Sequence, residues 1–382
     1  MKGKILRFLS YVLVAALASA VTLALVQPPA ESQKLARLEE LISQRFIGDV
    51  DPVALEDGAA AGMVAALGDR WSYYLSAKDY IAYKEQMENA YVGVGITIAV
   101  REDNRGFDIQ KITPGGPAQE AGLLAGDILI RIEGTDTTGM TPSDAGDLVR
   151  GKENTQVSLT VLRDGVEKTF SVTRRSIQTP VATATLLDGG IGLVQIANFD
   201  SRCAEETLAA VSSLLSQGAD KLIFDVRFNP GGYKDELVKV LDYLLPEGVL
   251  FRSEDYAGRV SEDPSKPDCL ELPMAVLVNG DSYSAAEFFA AALREYEWAT
   301  VVGQQTCGKG YFQTTLSLGD GSYVGLSVGK YFTPKGVSLA GVGITPDVVV
   351  EVEQETAAQI YSGLLPPESD PQIQAAIQAL QK

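Results

Sequence analysis

The chain has 382 residues, 46% hydrophobic and 21% charged, with a net charge of −18 at pH 7. That is enough for two or three domains with real cores, and it lacks the phosphate-neutralising surface that a nucleic-acid partner requires. There is no histidine, which excludes Ser-His-Asp and Cys-His catalysis and any zinc site built on imidazole, so acid–base chemistry near neutral pH must come from Lys, Tyr, Cys or a carboxylate with a displaced pKa.

In chain order, Lys2, Lys4 and Arg7 precede an uncharged run from Phe8 to Val26. Its 19 residues would span about 28 Å as a helix, close to a bilayer core. The leading positive charge keeps the N-terminus in the cytoplasm and places the rest of the chain outside. Two readings stay open. Apolar sequence continuing from Val21 to Val26 favours an uncleaved single-pass anchor in the cell membrane. The alternative is a signal peptide cleaved at Ala18-Ser19-Ala20, leaving a secreted or periplasmic protein. Pro28-Pro29 closes this segment.

From Glu31 to Leu67 the pattern is helical, with Leu35, Leu38, Leu41 and Ile42 on one face and a second helix after Pro52. Two short amphipathic helices cannot build a core, so they are expected to pack on the main body or on a partner subunit. Residues 91–175 carry short β-type runs separated by Gly- and Asp-rich turns: Val94 to Val100, Phe107 to Ile112, Ile128 to Ile132, Val157 to Leu162 and Lys168 to Val172. A small helix spans Ser143 to Val149, and Arg163-Asp164-Gly165-Val166 reads as a hairpin turn.

Beyond residue 176, strands and helices alternate, which is an α/β signature. Strands are expected at Ile191 to Ile196, Lys221 to Val226, Ala275 to Val278 and Thr300 to Val302. Helices are expected at Ala204 to Gln217, Ala285 to Tyr296 and Asp370 to Lys382. The expected organisation is therefore a segment 1–30, a helical region 31–88, a β-rich module 89–175, an α/β core 176–355 and a helical tail 356–382. The odd set Cys203, Cys269 and Cys307 has no metal-ligand spacing. Buried thiols are the plainer reading and one disulfide pair is the alternative. Neither a metal nor a cofactor is expected.

Three constellations in the α/β part carry chemistry. Asn279-Gly280-Asp281-Ser282-Tyr283-Ser284-Ala285-Ala286-Glu287 follows a buried strand and opens an Ala-rich helix. Ser284 there is either an ordinary N-cap or a nucleophile held where the helix N-terminus favours developing negative charge. Lys309, between Gly308 and Gly310, is either a solvated loop lysine or a buried amine. Phe228-Asn229-Pro230-Gly231-Gly232 is either an ordinary turn or a set of backbone amides aimed at an oxyanion. In the β-rich module, Tyr91-Val92-Gly93-Val94-Gly95-Ile96 either permits a tight strand entry or presents amides to a terminal carboxylate, with a peptide adding as an extra strand.

Taken together, these runs resemble the carboxy-terminal processing peptidases, or tail-specific proteases. Ser282 to Glu287 matches the family's serine motif, with Tyr283 as a departure. Gly308 to Gly310 matches its Gly-Lys-Gly motif, 25 residues beyond Ser284. The resemblance implies an α+β multidomain protein with a crotonase/ClpP-like α/β serine-protease core. It implies Ser284 as nucleophile, Lys309 as base, Gln313 as its orienting group, and an oxyanion hole from Gly231, Gly232 and the amide of Ala285. Cys307 stands where the family carries an aromatic.

Pro114-Gly115-Gly116-Pro117-Ala118, Ala121-Gly122-Leu123 and Gly126-Asp127 to Ile130 resemble bacterial PDZ domains. This implies carboxylate binding at Gly93, Val94, Gly95 and Ile96. Implied partners are protein or peptide substrates with free C-termini, the membrane through the N-terminal segment, and a second copy of the chain as in some relatives.

A lysine with a free pKa near about 10.4 must become neutral to accept a serine proton, and burial in an apolar pocket is the means. A drop of about 3 units costs about 4 kcal/mol of folding stability. The implied reaction is acyl transfer through an acyl-serine.

Overall fold

The structure is a computed structural model that describes residues 33–101 and 103–381. The expected membrane segment lies outside the described residues. Among those described, no helix is long and apolar enough to cross a membrane.

The chain divides into two units after Arg70. The first holds helices Gln33–Arg45 and Pro52–Ala65. Asp51 caps the second, accepting from the amides of Val53 and Ala54, with Pro52 at its first position, where a missing N–H costs nothing. Leu35, Leu38, Ile42, Leu55 and Ala59 line a groove between the helices. No residue described between 34 and 70 is buried, as expected for two helices too short to enclose a core.

The second unit is built on a six-stranded sheet in the spatial order Ala182–Leu187, Ile191–Ile196, Lys221–Asp225, Met274–Val278, Ala299–Gly303, Val348–Val349. The first pair is antiparallel and the rest are parallel. The central strands are apolar throughout because both faces are covered. On one face Phe224, Val276 and Val278 pack with helices Cys203–Ser216, Lys234–Leu244 and Ala285–Glu295. On the other, Ile223, Ala275 and Leu277 meet Ile373 and Ala376 of helix Pro371–Ala379. Helix Ala285–Glu295 is buried from Ala285 to Leu293. Its alanines allow close approach, and Phe288 and Phe289 interlock edge-on with Phe251 and Phe224.

A second, antiparallel sheet was not legible in the sequence. Strand Tyr323–Phe332 pairs with Tyr73–Leu75, Val249–Asp255 and Tyr311–Ser317, and Val260–Pro264 forms the outer edge. Its strands are half-buried mixtures of polar and aromatic residues, so they show neither the alternation nor the apolar run that marks a strand. Helix Ala77–Met87 follows Tyr73–Leu75.

Residues 96–173 form a separate β-sheet in the order Ile96–Val100, Phe107–Ile112, Ile128–Ile132, Gln156–Arg163, Val166–Thr173, with helix Pro142–Val149 beside it. Phe107, Leu129, Val157 and Val161 are at its centre. The expected hairpin at Arg163–Val166 is present, with Asp164 and Gly165 at positive φ of 55° and 77°. Asp127 is buried here and held by both arms of the Arg163 guanidinium at 2.6 Å. Burial opposes its charge, and the Arg163 hydrogen bonds prevail, keeping its carboxyl below the usual range. The module joins the rest through a two-stranded ribbon, Ala90–Gly93 against Arg175–Gln178.

Candidate active site

Strands Lys221–Asp225, Met274–Val278 and Ala299–Gly303 lie side by side and parallel. The three constellations singled out in the sequence therefore leave the same edge of the sheet, the carboxyl ends where α/β folds place their sites.

The turns are tied to one another by side-chain caps. Asn279 Oδ1 accepts from the amide of Phe228 at 2.9 Å. Ser282 Oγ donates to Val226 O at 2.7 Å, and the amide of Tyr283 donates to Asn229 O at 3.1 Å. Ser282 is thus a structural hydroxyl that staples one turn to the other. Ser284 differs. Its φ of 58° and ψ of −125° are far from the extended backbone of an ordinary N-cap, and a non-glycine residue holds that conformation only when its surroundings impose it. Gly231 abuts it: a Cβ at residue 231 would lie 2.7 Å from Ser284 Cβ and 2.9 Å from the amide nitrogen of Ala285. Only glycine brings that backbone so close to the serine.

Glu287 is fully buried and holds the serine turn against the lysine loop. One carboxylate oxygen accepts from Ser284 N–H at 3.0 Å and Lys309 N–H at 2.8 Å. The other accepts from Gly308 N–H at 2.8 Å and Thr306 Oγ at 2.5 Å. Gly310 presses on the segment beyond, where a Cβ would be 2.5 Å from the amide nitrogen of Ala340, which explains the second glycine of Gly308-Lys309-Gly310.

Ser284, Lys309, Gln313 and Gly232 line one cavity of about 560 Å³. Its walls carry Tyr73, Tyr80, Tyr83, Tyr233, Phe312 and Tyr331. Burial pushes the phenols of Tyr83 and Tyr331 well above their ordinary value, so they are neutral donors and acceptors. The Lys309 amine lies 4.9 Å from the centre of the Trp71 ring and 5.8 Å from that of Tyr283. Gln313 Nε2 donates to Ser327 Oγ at 3.1 Å and Tyr311 O at 3.2 Å. The amide of Gly231 donates to Asn229 Oδ1 at 2.8 Å. Sequence reasoning missed Trp71 and the tyrosine wall. It quoted Glu287 without a role, although a Ser-x-x-Glu spacing at a helix start is a capping signal.

None of Cys203, Cys269 and Cys307 is in a disulfide. Burial pushes the Cys203 thiol up to about 12, so it is inert. Among the described residues no cluster of three or more potential metal ligands occurs.

In the β-rich module, Gly93 ends the ribbon and Ile96 opens the sheet's edge strand. The carbonyls of Val94 and Gly95 between them accept from the amides of Ala118 and Thr113 at 2.8 and 2.9 Å. The edge of Ile96–Val100 borders helix Pro142–Val149.

Comparison with known proteins decides the family. The carboxy-terminal-processing protease of Bartonella bacilliformis is 32% identical over 333 residues, covering 84% of this chain and 75% of its own. This chain belongs to the carboxy-terminal processing peptidase family. It is a serine-type peptidase. Residues 190–350 match Peptidase family S41, residues 109–163 match the PDZ domain, and residues 17–79 match the Activating protease CtpB N-terminal domain. The carboxy-terminal processing protease CtpA of Bacillus subtilis is 32% identical over 324 residues, 84% of this chain and 69% of that one. A CtpA-like serine protease of Staphylococcus aureus is 31% identical over 326 residues, and the chain spans 65% of its length. A solved S41 protease structure from Bacteroides fragilis superposes with a TM-score of 0.56 over 90% of this chain and 96% of that one, at 17% identity, a likeness of fold. The family's α+β multidomain architecture is the one described above.

Proposed function

We propose that this peptidase cleaves extracytoplasmic proteins near their C-termini, with Ser284 as nucleophile and Lys309 as general base. The observation that carries the reading is the positive-φ backbone of Ser284 at a strand-to-helix turn, opening into the cavity that Lys309 also lines.

The neutral Lys309 amine takes the hydroxyl proton as Ser284 Oγ attacks the peptide carbonyl. The oxyanion that forms is met by the amides of Gly232 and Ala285. Gly231, whose own amide is engaged with Asn229, holds the turn against the serine and joins them if that bond is released. Lys309, now charged, returns the proton to the leaving amine. Water then attacks the acyl-serine, Lys309 again takes a proton, and Ser284 is restored with release of the carboxylate product. Gln313, anchored through its amide nitrogen to Ser327, presents its side-chain oxygen to orient the lysine.

The PDZ module selects substrates. A terminal carboxylate docks on amides at Gly93, Val94, Gly95 and Ile96, and the peptide extends along the Ile96–Val100 edge. The N-terminal segment holds the enzyme to the membrane with its catalytic part outside, and residues 33–67 pair with a second copy. Domain limits near residues 88, 175 and 355 fit this division of labour.

The test is direct. The full chain is assayed against an unfolded protein bearing a free apolar C-terminus. Ser284→Ala and Lys309→Ala should each reduce turnover at least about 10³-fold. Undiminished cleavage in either variant removes the dyad, and peptide binding without cleavage under all conditions makes the protein an adaptor.

A further inference from the structure

Asp200 is a fully buried carboxylate, and the mechanism above does not use it. It lies in the segment after strand Ile191–Ile196, and that segment meets the turn that carries Gly231 and Gly232. Phe199 N–H donates to Gly231 O at 2.8 Å, and Tyr233 N–H donates to Phe199 O at 2.7 Å. Phe199 and Gly232 thus form a parallel bridge. A Cβ at residue 232 would lie 2.3 Å from Phe199 O, so glycine alone allows the approach. Asn229 Nδ2 adds a bond to Ile196 O at 2.8 Å.

This bridge decides where an amide points. In a trans peptide unit the C=O and the N–H face opposite ways. Phe199 takes Gly231 O, so the N–H of Gly232, on the same peptide unit, is turned away from Phe199. Gly232 lines the cavity with Ser284. Phe199 is itself fully buried, with its ring 5.9 Å from that of Phe289 in the helix that starts after Ser284.

Side chains on both sides of Phe199 hold it there. Asp200 N–H donates to Asn198 Oδ1 at 3.1 Å. The Asp200 carboxylate accepts from the amide of Arg202 at 2.7 Å and from Arg202 Nη2 at 3.0 Å. Asn89 Nδ2 donates to Asn198 Oδ1 at 2.5 Å and to Asp200 Oδ2 at 2.9 Å. A carboxylate stays buried only where donors meet it, and these donors fix the backbone on either side of residue 199.

We propose that Asp200 is a positioning residue of the active site: with Arg202 and Asn89 it fixes Phe199, and Phe199 aims the Gly232 amide at the oxyanion. The proposal rests on the reading of Ser284 as nucleophile and Gly232 as oxyanion donor. Asp200 does not line the cavity and acts through the backbone of its neighbour. Its effect therefore belongs to the tetrahedral stage, where the oxyanion exists, and not to substrate binding.

The experiment uses the full chain. Asp200→Asn keeps one oxygen for the amide of Arg202 and replaces the other by an NH₂ that faces two donors. It should lower kcat about tenfold, with KM within about twofold of the parent. It should weaken inhibition by a substrate-derived peptide aldehyde, whose adduct with Ser284 carries the same oxyanion, by about the same factor. Adding Asp200→Asn to the Ser284→Ala protein should leave its binding of an uncleaved peptide unchanged. Parental kcat, or a loss shared equally by peptide binding and aldehyde inhibition, overturns the proposal. If Asp200→Asn does not fold, Asn89→Gly takes its place and the same outcomes decide: glycine fits the φ of 44° at residue 89 and removes the donor that Asn198 and Asp200 share.

A second arm needs no activity. In the Ser284→Ala protein, amide hydrogen exchange across residues 196–200 reads how firmly Phe199 is held. Asp200→Asn should speed it about tenfold, and unchanged exchange overturns the proposal. If Ser284→Ala still cleaves, the catalytic reading fails, and exchange still decides whether Asp200 holds Phe199 to the turn.

Discussion

Glu287 shows how a single residue joins segments that the chain keeps apart. A carboxylate offers about four lone-pair directions, and here Ser284, Thr306, Gly308 and Lys309 take them all. Glutamine has the same shape but turns an NH₂ toward donors, leaving buried N–H or O–H groups unmet at about 1–3 kcal/mol each. Glu287→Gln should therefore lower kcat by roughly 10²-fold with KM changed only a few-fold, because the proposed dyad loses its spacing while the cavity walls remain. Steady-state kinetics on one peptide checks this, and a variant with parental kcat contradicts it. At this scale the residues that share the cavity were legible. The absence of histidine left Lys, Tyr, Cys or a displaced carboxylate as candidate bases, and the family resemblance through Gly308-Lys309-Gly310 implied Lys309. The tie through Glu287 was not legible, because its three partners in the lysine loop lie 19 to 22 residues away and a capping pattern speaks only of its own helix.

At the scale of elements, the turn after Lys221–Asp225 is fastened from the far side of the sheet. Arg227 is buried and donates to Asp225 at 2.7 and 2.9 Å, and to Asp370 and Gln372 at 2.8 and 2.9 Å. Asp370 in turn caps helix Pro371–Ala379 through the amides of Gln372 and Ile373. The C-terminal helix thus braces the turn that carries Gly231 and Gly232. Removing the guanidinium strands two buried carboxylates, so Arg227→Met should cost about 3–5 kcal/mol. Adding Asp225→Asn should recover part of the loss, since one stranded charge goes with it. Denaturant unfolding of the three proteins reads both effects, and equal stability of parent and Arg227→Met would refute the brace. The helix expected at Asp370 to Lys382 is present as Pro371–Ala379, and the apolar strand expected at Lys221 to Val226 as Lys221–Asp225. Their connection spans 143 residues, and no local pattern carries it.

Across the whole molecule, the PDZ module hangs on a narrow connection. Gly93 pairs with Arg175, so the chain leaves and re-enters the core through adjacent strands, and the module's buried cluster around Phe107 and Leu129 is distinct from those of the main sheet. Replacing residues 94–174 with a short Gly-Ser turn should leave the thermal unfolding of the remainder within a few degrees of the parent. The shortened enzyme should cleave free-acid and C-terminally amidated peptides at equal rates, whereas the parent should prefer the free acid. A retained preference would move carboxylate recognition out of the PDZ module.

The sequence by itself determined the apolar parallel strands, the Ala-rich helix after Ser284, the β-rich module and the glycine-flanked turns that carry Ser284 and Lys309. These are local: a run of side chains buried on both faces, or a glycine that a turn demands, is written in consecutive residues. Tertiary structure alone decided the antiparallel sheet of Tyr73–Leu75, Val249–Asp255 and Tyr311–Phe332, the tyrosine wall of the cavity, and the placing of Trp71 against Lys309. Those strands are half wet and half aromatic, so their pattern names no partner. What they touch is set by how layers distant in the chain stack on one another.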